Sequence, residues 1–313
     1  MSSVPCIDTD SLLATIEAMR RQEETGYKAF DYLHQQIPQQ LQMPNGPQQS
    51  GEAPVDEECR FRMTEWCYQI VDFCKFKRET VSVAMSYLDR FLCSRVGPEV
   101  LLDRSKFQLA AMTSLYTAVK IHEPEAMEPG LIASLSRGAY TKEQVEQMEL
   151  TMLNAIQWRV NPPTAVAFVH QYLDLIPTSL IHQDAREAII DLAKYQTELA
   201  VTDYDFVPVN ASSIAFASLL NALESMGMDV CLLMNVESGL SQAAKIDLQS
   251  TQIRDIRTRL YEAITKQPGN GEMLSNMAPQ NNGHENGYTK TNTSVHGSPR
   301  CVSEPASQEI MYQ

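Results

Sequence analysis

The chain has 313 residues, 43% of them hydrophobic and 20% charged, with a formal net charge of −14 from 25 Lys+Arg against 39 Asp+Glu. That is enough chain for two ordinary domains with sizeable cores. The acidic balance repels phosphate backbones, which sets nucleic acid aside as the main partner, and no long apolar run offers a membrane span.

The N-terminus, Met1-Ser-Ser-Val-Pro-Cys-Ile-Asp8, has neither the basic start nor the apolar stretch of a signal peptide. Leu12, Leu13, Ile16 and Met19 then repeat at helical spacing and predict a first helix over about 10–34. Residues 38–54, rich in Pro, Gln and Gly, read as a linker. From about Glu57 to Ile264 the pattern is helical almost throughout, with no period-two alternation. A helix over 57–76 puts Met63, Trp66, Ile70 and Phe73 on one stripe. Its cysteines, Cys59, Cys67 and Cys74, read as small core residues of a reducing compartment. The sequon-like Asn292-Thr-Ser294 then carries no glycan.

A second helix covers about 79–94. The third, about 103–121, is apolar or small around most of its circumference and so is surrounded by others. A short fourth follows Pro129. The fifth opens on Thr141-Lys-Glu-Gln144, a capping box, and runs through Val145, Met148, Leu150 and Leu153. Pro162-Pro163 ends this unit. Helical patterns recur at about 164–175, 183–202, 211–226 and 251–265, with a weaker one near 229–236. After Gln267 the composition turns to Asn, Gly, Ser, Thr and Pro, too polar to bury the surface that would offset its chain entropy.

Reactive constellations are missing from this pattern. No Gly-x-Gly-x-x-Gly follows a strand, no Walker lysine exists, and Gly269-Asn-Gly271 lies in the polar tail. His122-Glu123 lacks a second His for zinc, and no Cys-x-x-Cys pair occurs. The expectation is a non-enzyme with no cofactor and no metal.

Four segments carry a family resemblance. They are Cys59-Arg-Phe-Arg-Met-Thr-Glu-Trp66; Arg78-Glu-Thr80 with Met85-Ser-Tyr-Leu-Asp-Arg-Phe-Leu92; Phe107-Gln-Leu-Ala-Ala-Met112 leading to Ala118-Val-Lys120; and Tyr140-Thr-Lys-Glu-Gln-Val145 with Met148-Glu149. In this order they resemble the first box of cyclins, over about 100 residues. The resemblance implies an all-α protein, two tandem five-helix cyclin-box folds preceded by an N-terminal helix. The expected division is 1–55 for that helix and the linker, 56–160 for the first box, 161–268 for the second fold, and 269–313 for a disordered tail. It also implies a regulatory subunit that binds and activates a cyclin-dependent Ser/Thr kinase, in nucleus and cytoplasm.

The residues divide by role. Arg60 and Asp89 match the family's buried ion pair, and Leu109 its core leucine; ordinary packing explains all three equally well. Read alone, Lys120 is a helix-terminal lysine complementing the dipole, and Glu149 part of a solvated face. The resemblance implies instead that they grip backbone groups beside the kinase's regulatory helix. Glu123 matches a further acidic kinase-binding position.

The family's apolar patch for Arg-x-Leu peptides corresponds to Cys59, Arg62, Met63, Trp66 and Gln108. Arg62 stands where an isoleucine is usual, so docking there is expected to be weak or retuned toward acidic peptides. Val4-Pro-Cys-Ile-Asp8 is similar to the Leu-x-Cys-x-Glu signal of D-type cyclins. It implies a G1/S role and a retinoblastoma-like partner. Ser298-Pro299 is a minimal proline-directed phosphosite. The only Arg-x-x-Leu match, Arg257 to Leu260, falls within a predicted helix. Lys75-Phe-Lys-Arg78 reads as a solvated basic turn, with a nuclear signal or kinase contact as the other reading. The runner-up function is a transcription-factor-IIB-like or transcriptional-cyclin scaffold, which would need a basic DNA-facing surface.

Overall fold

The computed structural model describes residues 9–35, 53–125 and 127–266. Val4–Asp8, most of the 38–54 linker, Asn292–Ser294, Ser298-Pro299 and the 269–313 tail lie outside the described residues. Regular structure among those described is helical: α1 (Thr9–Thr25), α2 (Glu57–Cys74), α3 (Glu79–Leu92), α4 (Gly97–Leu101), α5 (Arg104–His122), α6 (Pro129–Leu135), α7 (Lys142–Ala155), α8 (Ala165–Asp174), α9 (Gln183–Thr202), a 3-10 turn (Tyr204–Phe206), α10 (Ala211–Ser225), α11 (Val230–Ala244) and α12 (Thr251–Lys266). No described helix is long and apolar enough to cross a membrane.

The described chain forms two compact units. One gathers 27–35, 53–125, 127–162 and 201–208; the other gathers 9–26, 163–200 and 209–266. In the first, α5 is buried continuously from Phe107 to Val119, and α2, α3, α4, α6 and α7 all pack on it. Ala110, Ala111 and Ala118 are fully buried and let neighbouring helices come close; Leu109 is buried among them. Its buried hydroxyls are partly met internally, Ser114 donating to the Ala111 carbonyl and Thr117 to that of Thr113. Side-chain caps fix three of the helix starts. Asp56 accepts from Cys59 N at 2.8 Å, Asp103 accepts from Lys106 N at 3.0 Å, and Thr141 with Gln144 forms the expected box.

Several expectations need correction. The first helix stops at Thr25, not 34, because Gly26 weakens it and Tyr32 is drawn into the core of the first unit. The resulting α1 groups with residues 163–200 and 209–266. Phe73 is 66% exposed: the buried stripe of α2 steps from Ile70 toward Cys74, which is half-buried, and Phe73 rotates off it. Leu150 is likewise exposed, lying off the stripe Val145–Met152–Leu153. The weak pattern near 229–236 is a full helix to Ala244, and the one-turn α4 is a helix beyond those predicted. Cys59 and Cys67 are buried as expected, and burial pushes their thiols up to about 11 and about 12, which keeps them unreactive.

In the second unit α10 takes the central place, buried from Ile214 to Leu220 and packed by α8, α11 and α12. Arg186 on α9 is buried and donates to the Ile176 and Leu173 carbonyls at 2.9 and 2.7 Å, closing the C-terminal end of α8. Helix α1 packs on α8 and α11. Asn210, at the start of α10, makes no side-chain cap bond. Glu23 of α1 does that work instead, accepting from Ser212 N at 2.9 Å and from the Ser212 hydroxyl. Burial pushes the Glu23 carboxyl above its ordinary value, and the Ser212 bonds only partly offset this.

The first unit turns on one ion pair. Arg60 of α2 is 3% exposed and binds Asp89 of α3 bidentately, Nε to Oδ1 at 3.0 Å and Nη2 to Oδ2 at 2.8 Å. Nη1 donates to the Val201 carbonyl, and the Tyr32 hydroxyl donates to Asp89 Oδ1, both at 2.8 Å. Burial alone would lower the Arg60 pKa, but Asp89 outweighs it and raises it. Asp89→Ala should cost about 3–5 kcal/mol, because it strands a buried guanidinium. Tyr32→Phe, which leaves the ion pair intact, should cost only about 1.5–3 kcal/mol. Urea unfolding of the full chain measures both; equal costs would mean that the pair is not the main term.

Candidate functional site

Lys120 is in the last turn of α5, and Glu149 lies midway along α7, the helix packed against it. The structure brings them together. Lys120 Nζ is 3.1 Å from both Glu149 oxygens, with the lysine side chain 48% exposed and the glutamate 12%. Glu149 is therefore not on a freely solvated face, as its sequence alone allowed. Partial burial works against the Lys120 charge, but the bond to Glu149 prevails and lifts its pKa above the ordinary 10.5. The Tyr116 ring lies 5.4 Å from the ammonium, one turn back on α5.

Glu123, which ends α5, is half-buried and already committed inside the protein. Its Oε1 accepts from Lys77 N at 3.0 Å and from the Thr80 hydroxyl, so it seats the first turn of α3. One carboxylate oxygen carries both bonds, which leaves Oε2 for an outside donor. His122 just before it meets the Tyr87 hydroxyl and the Val160 carbonyl, each at 3.0 Å, and reads as a structural residue. In the basic turn, Arg78 pairs with Asp72 at 2.5 Å and stacks over the Tyr68 ring.

Exposed apolar side chains adjoin the charged pair in sequence. Ile121 follows Lys120 and Leu150 follows Glu149; both are exposed, as is Trp158 just beyond α7. Trp158 is held in a left-handed conformation, with Nε1 donating to Asn154 Oδ1 at 3.1 Å. These three were not singled out from the sequence as site residues. The signal available was a large apolar residue directly after each member of the pair, where a soluble helix usually turns polar.

The residues of the expected docking patch are mostly buried. Cys59, Met63, Trp66 and Gln108 are all buried, the first three because positions 59, 63 and 66 share the core face of α2. Gln108 accepts from the Tyr140 hydroxyl at 3.0 Å. Among the five, only Arg62 is half-exposed, and its Nε donates to Glu58 at 2.5 Å. Among the described residues no group of three or more His, Cys, Asp or Glu side chains is arranged to hold a metal.

Residues 17–161 match the family model of the cyclin N-terminal domain, and residues 163–272 that of the cyclin C-terminal domain. A G2/mitotic-specific cyclin-B2 of Rana japonica is 30% identical over 174 residues, 56% of this chain and 41% of that protein. A cyclin-A1-4 of Oryza sativa subsp. japonica is 26% identical over 168 residues, 54% of this chain and 45% of that protein. The chain thus spans less than half the length of these relatives. A viral cyclin from herpesvirus saimiri superposes with a TM-score of 0.50 at 17% identity, over 74% of this chain and 98% of that one, a likeness of fold.

A fluorescein-labelled Arg-x-Leu peptide should bind only weakly, because its leucine finds no apolar slot and its arginine meets Arg62. Fluorescence polarisation reads this; a micromolar or tighter Kd would overturn it.

Proposed function

Because the chain belongs to the cyclin family, with both of its domains matched in tandem, we propose that it binds a cyclin-dependent Ser/Thr kinase and activates it allosterically. The observation that carries the reading is the Lys120–Glu149 pair. A donor and an acceptor stand side by side on two helices locked to one core. The ammonium has a third N–H beyond the two spent on Glu149, and the carboxylate keeps unused lone pairs. The pair can therefore take a backbone carbonyl and a backbone N–H of an incoming kinase segment without first coming apart. Ile121, Leu150 and Trp158 add apolar contact beside the charges.

The regulatory helix of the kinase is then held in its inward position, which completes the kinase's own Lys–Glu pair. No chemistry is asked of this chain. It binds the active kinase conformation better than the inactive one and shifts the population by that difference. The scaffold alternative lacks support: the chain is acidic, and it carries the pair.

The phase of action is a separate question. Val4-Pro-Cys-Ile-Asp8 favours a G1/S, D-like role with a retinoblastoma-like partner, in nucleus and cytoplasm. The cyclin-B2 relatives bear G2/mitotic names instead. On the D-like reading, abundance in synchronised cells rises before S phase and Val4→Ala/Asp8→Ala abolishes pull-down of a retinoblastoma-like protein. A peak at mitosis would sink it.

For the kinase reading, Lys120→Ala and Glu149→Ala should each weaken binding to purified kinase by about 2–5 kcal/mol, since each strands the other charge. Titration calorimetry measures this, with circular dichroism as the folding control. Undiminished binding by the double variant would remove the assignment.

A further inference from the structure

The Lys120 ammonium has neighbours on two different helices. Glu149 reaches it from α7, with both oxygens at 3.1 Å. Tyr116 reaches it from within α5, its ring centroid 5.4 Å from Nζ. The second contact follows from helix geometry. Residues at i and i+4 share a face, and side chains lean toward the helix N-terminus. The lysine stem is therefore laid back over the preceding turn, where residue 116 lies beneath it.

The two members of this i, i+4 pair differ in freedom. The Lys120 side chain is a long flexible stem, 48% exposed. Tyr116 is 3% exposed and belongs to the continuously buried stretch of α5. Its ring is held by the core and does not follow the lysine.

Glu149 alone fixes the ammonium incompletely. Its two oxygens are equidistant, so a cation held only by them can still swing about the carboxylate. A ring fixed on a second helix removes that freedom, because its electron-rich face attracts a cation within about 6 Å. Both neighbours act on the charge in the same sense. Burial disfavours the ammonium, while Glu149 and then Tyr116 raise its pKa above the ordinary 10.5.

We infer that Tyr116 is a positioning residue for the kinase contact: its ring holds the Lys120 ammonium against Glu149, so that the N–H offered to the kinase backbone is already aimed. This rests on the kinase reading above and adds a buried member to the recognition site. An aliphatic residue would fill the same core position but offer no ring face to the cation.

The test is titration calorimetry of the full chain against purified kinase, with variants at both positions and circular dichroism as the folding control. Tyr116→Leu keeps an apolar core residue and removes the ring; it should weaken binding about 3- to 10-fold. Tyr116→Phe restores the ring and should recover affinity to within about 2-fold of the parent. In a Lys120→Met background, which keeps the stem and removes the charge, Tyr116→Leu should have no further effect, because the ring then has no cation to hold. A merely structural tyrosine would cost the same in both backgrounds, and that result would overturn the inference. So would a loss in Tyr116→Phe as large as in Tyr116→Leu, which would place the effect on the hydroxyl. A second readout needs no kinase: by nuclear magnetic resonance of the isotope-labelled chain, the Lys120 ammonium should be more mobile in Tyr116→Leu than in the parent or Tyr116→Phe. Equal mobility in all three would also refute the role. The two readings fail differently. A parent chain that binds no kinase removes both, whereas parent-like binding by Tyr116→Leu removes only the role of Tyr116.

Discussion

A guanidinium cannot shed its charge inside a protein, so burying Arg60 obliges the fold to bring an anion to it. Asp89 answers from α3, and each group then has bonding capacity left over. The spare carboxylate lone pair takes the Tyr32 hydroxyl, and the spare guanidinium N–H takes the Val201 carbonyl. Four stretches distant in sequence are tied at one point. Helices α2 and α3, thus fastened, pack on α5, whose last turn carries Lys120. The placement of Lys120 thus descends from a pair that is almost wholly buried.

Lys120 and Glu149 illustrate how a half-exposed charge and a mostly buried one are held together. Left single, Glu149 at 12% exposure would be a poorly hydrated carboxylate. Facing each other, the two side chains are held oriented, so their ordering cost is already met within the fold. The same logic separates them from Glu123, whose carboxylate is largely consumed in seating α3.

Much of this was legible in the sequence, and the exceptions have physical causes. Helical periodicity, the Thr141 capping box and the apolar circumference of α5 lie in neighbouring residues, where local rules suffice. Arg60 and Asp89 could be named from the family pattern. Their third and fourth partners could not, because Tyr32 and Val201 come from segments 57 and 141 residues away from those they bind. Phe73 shows the limit of counting by threes and fours: a real helix drifts at 3.6 residues per turn, and the last position of a stripe slides off the core. The docking patch differs in kind: Arg62 already departs from the family's isoleucine, and the burial of Cys59, Met63, Trp66 and Gln108 is something only packing reveals.

The cap that Glu23 supplies to α10 spans 189 residues. It makes the beginning of the chain part of a unit whose remaining pieces are made last. Residues 201–208 run the opposite way, leaving the later half to complete the earlier one. During synthesis neither unit is complete when the ribosome reaches the boundary near Pro163. The first waits for the stretch that holds Val201, and α1 waits for α8, α10 and α11. Such long-range closure slows folding and prolongs the exposure of apolar faces. Cutting the gene at that boundary would yield two fragments, each missing a strap that the other carries, and only their co-expression would restore both cores.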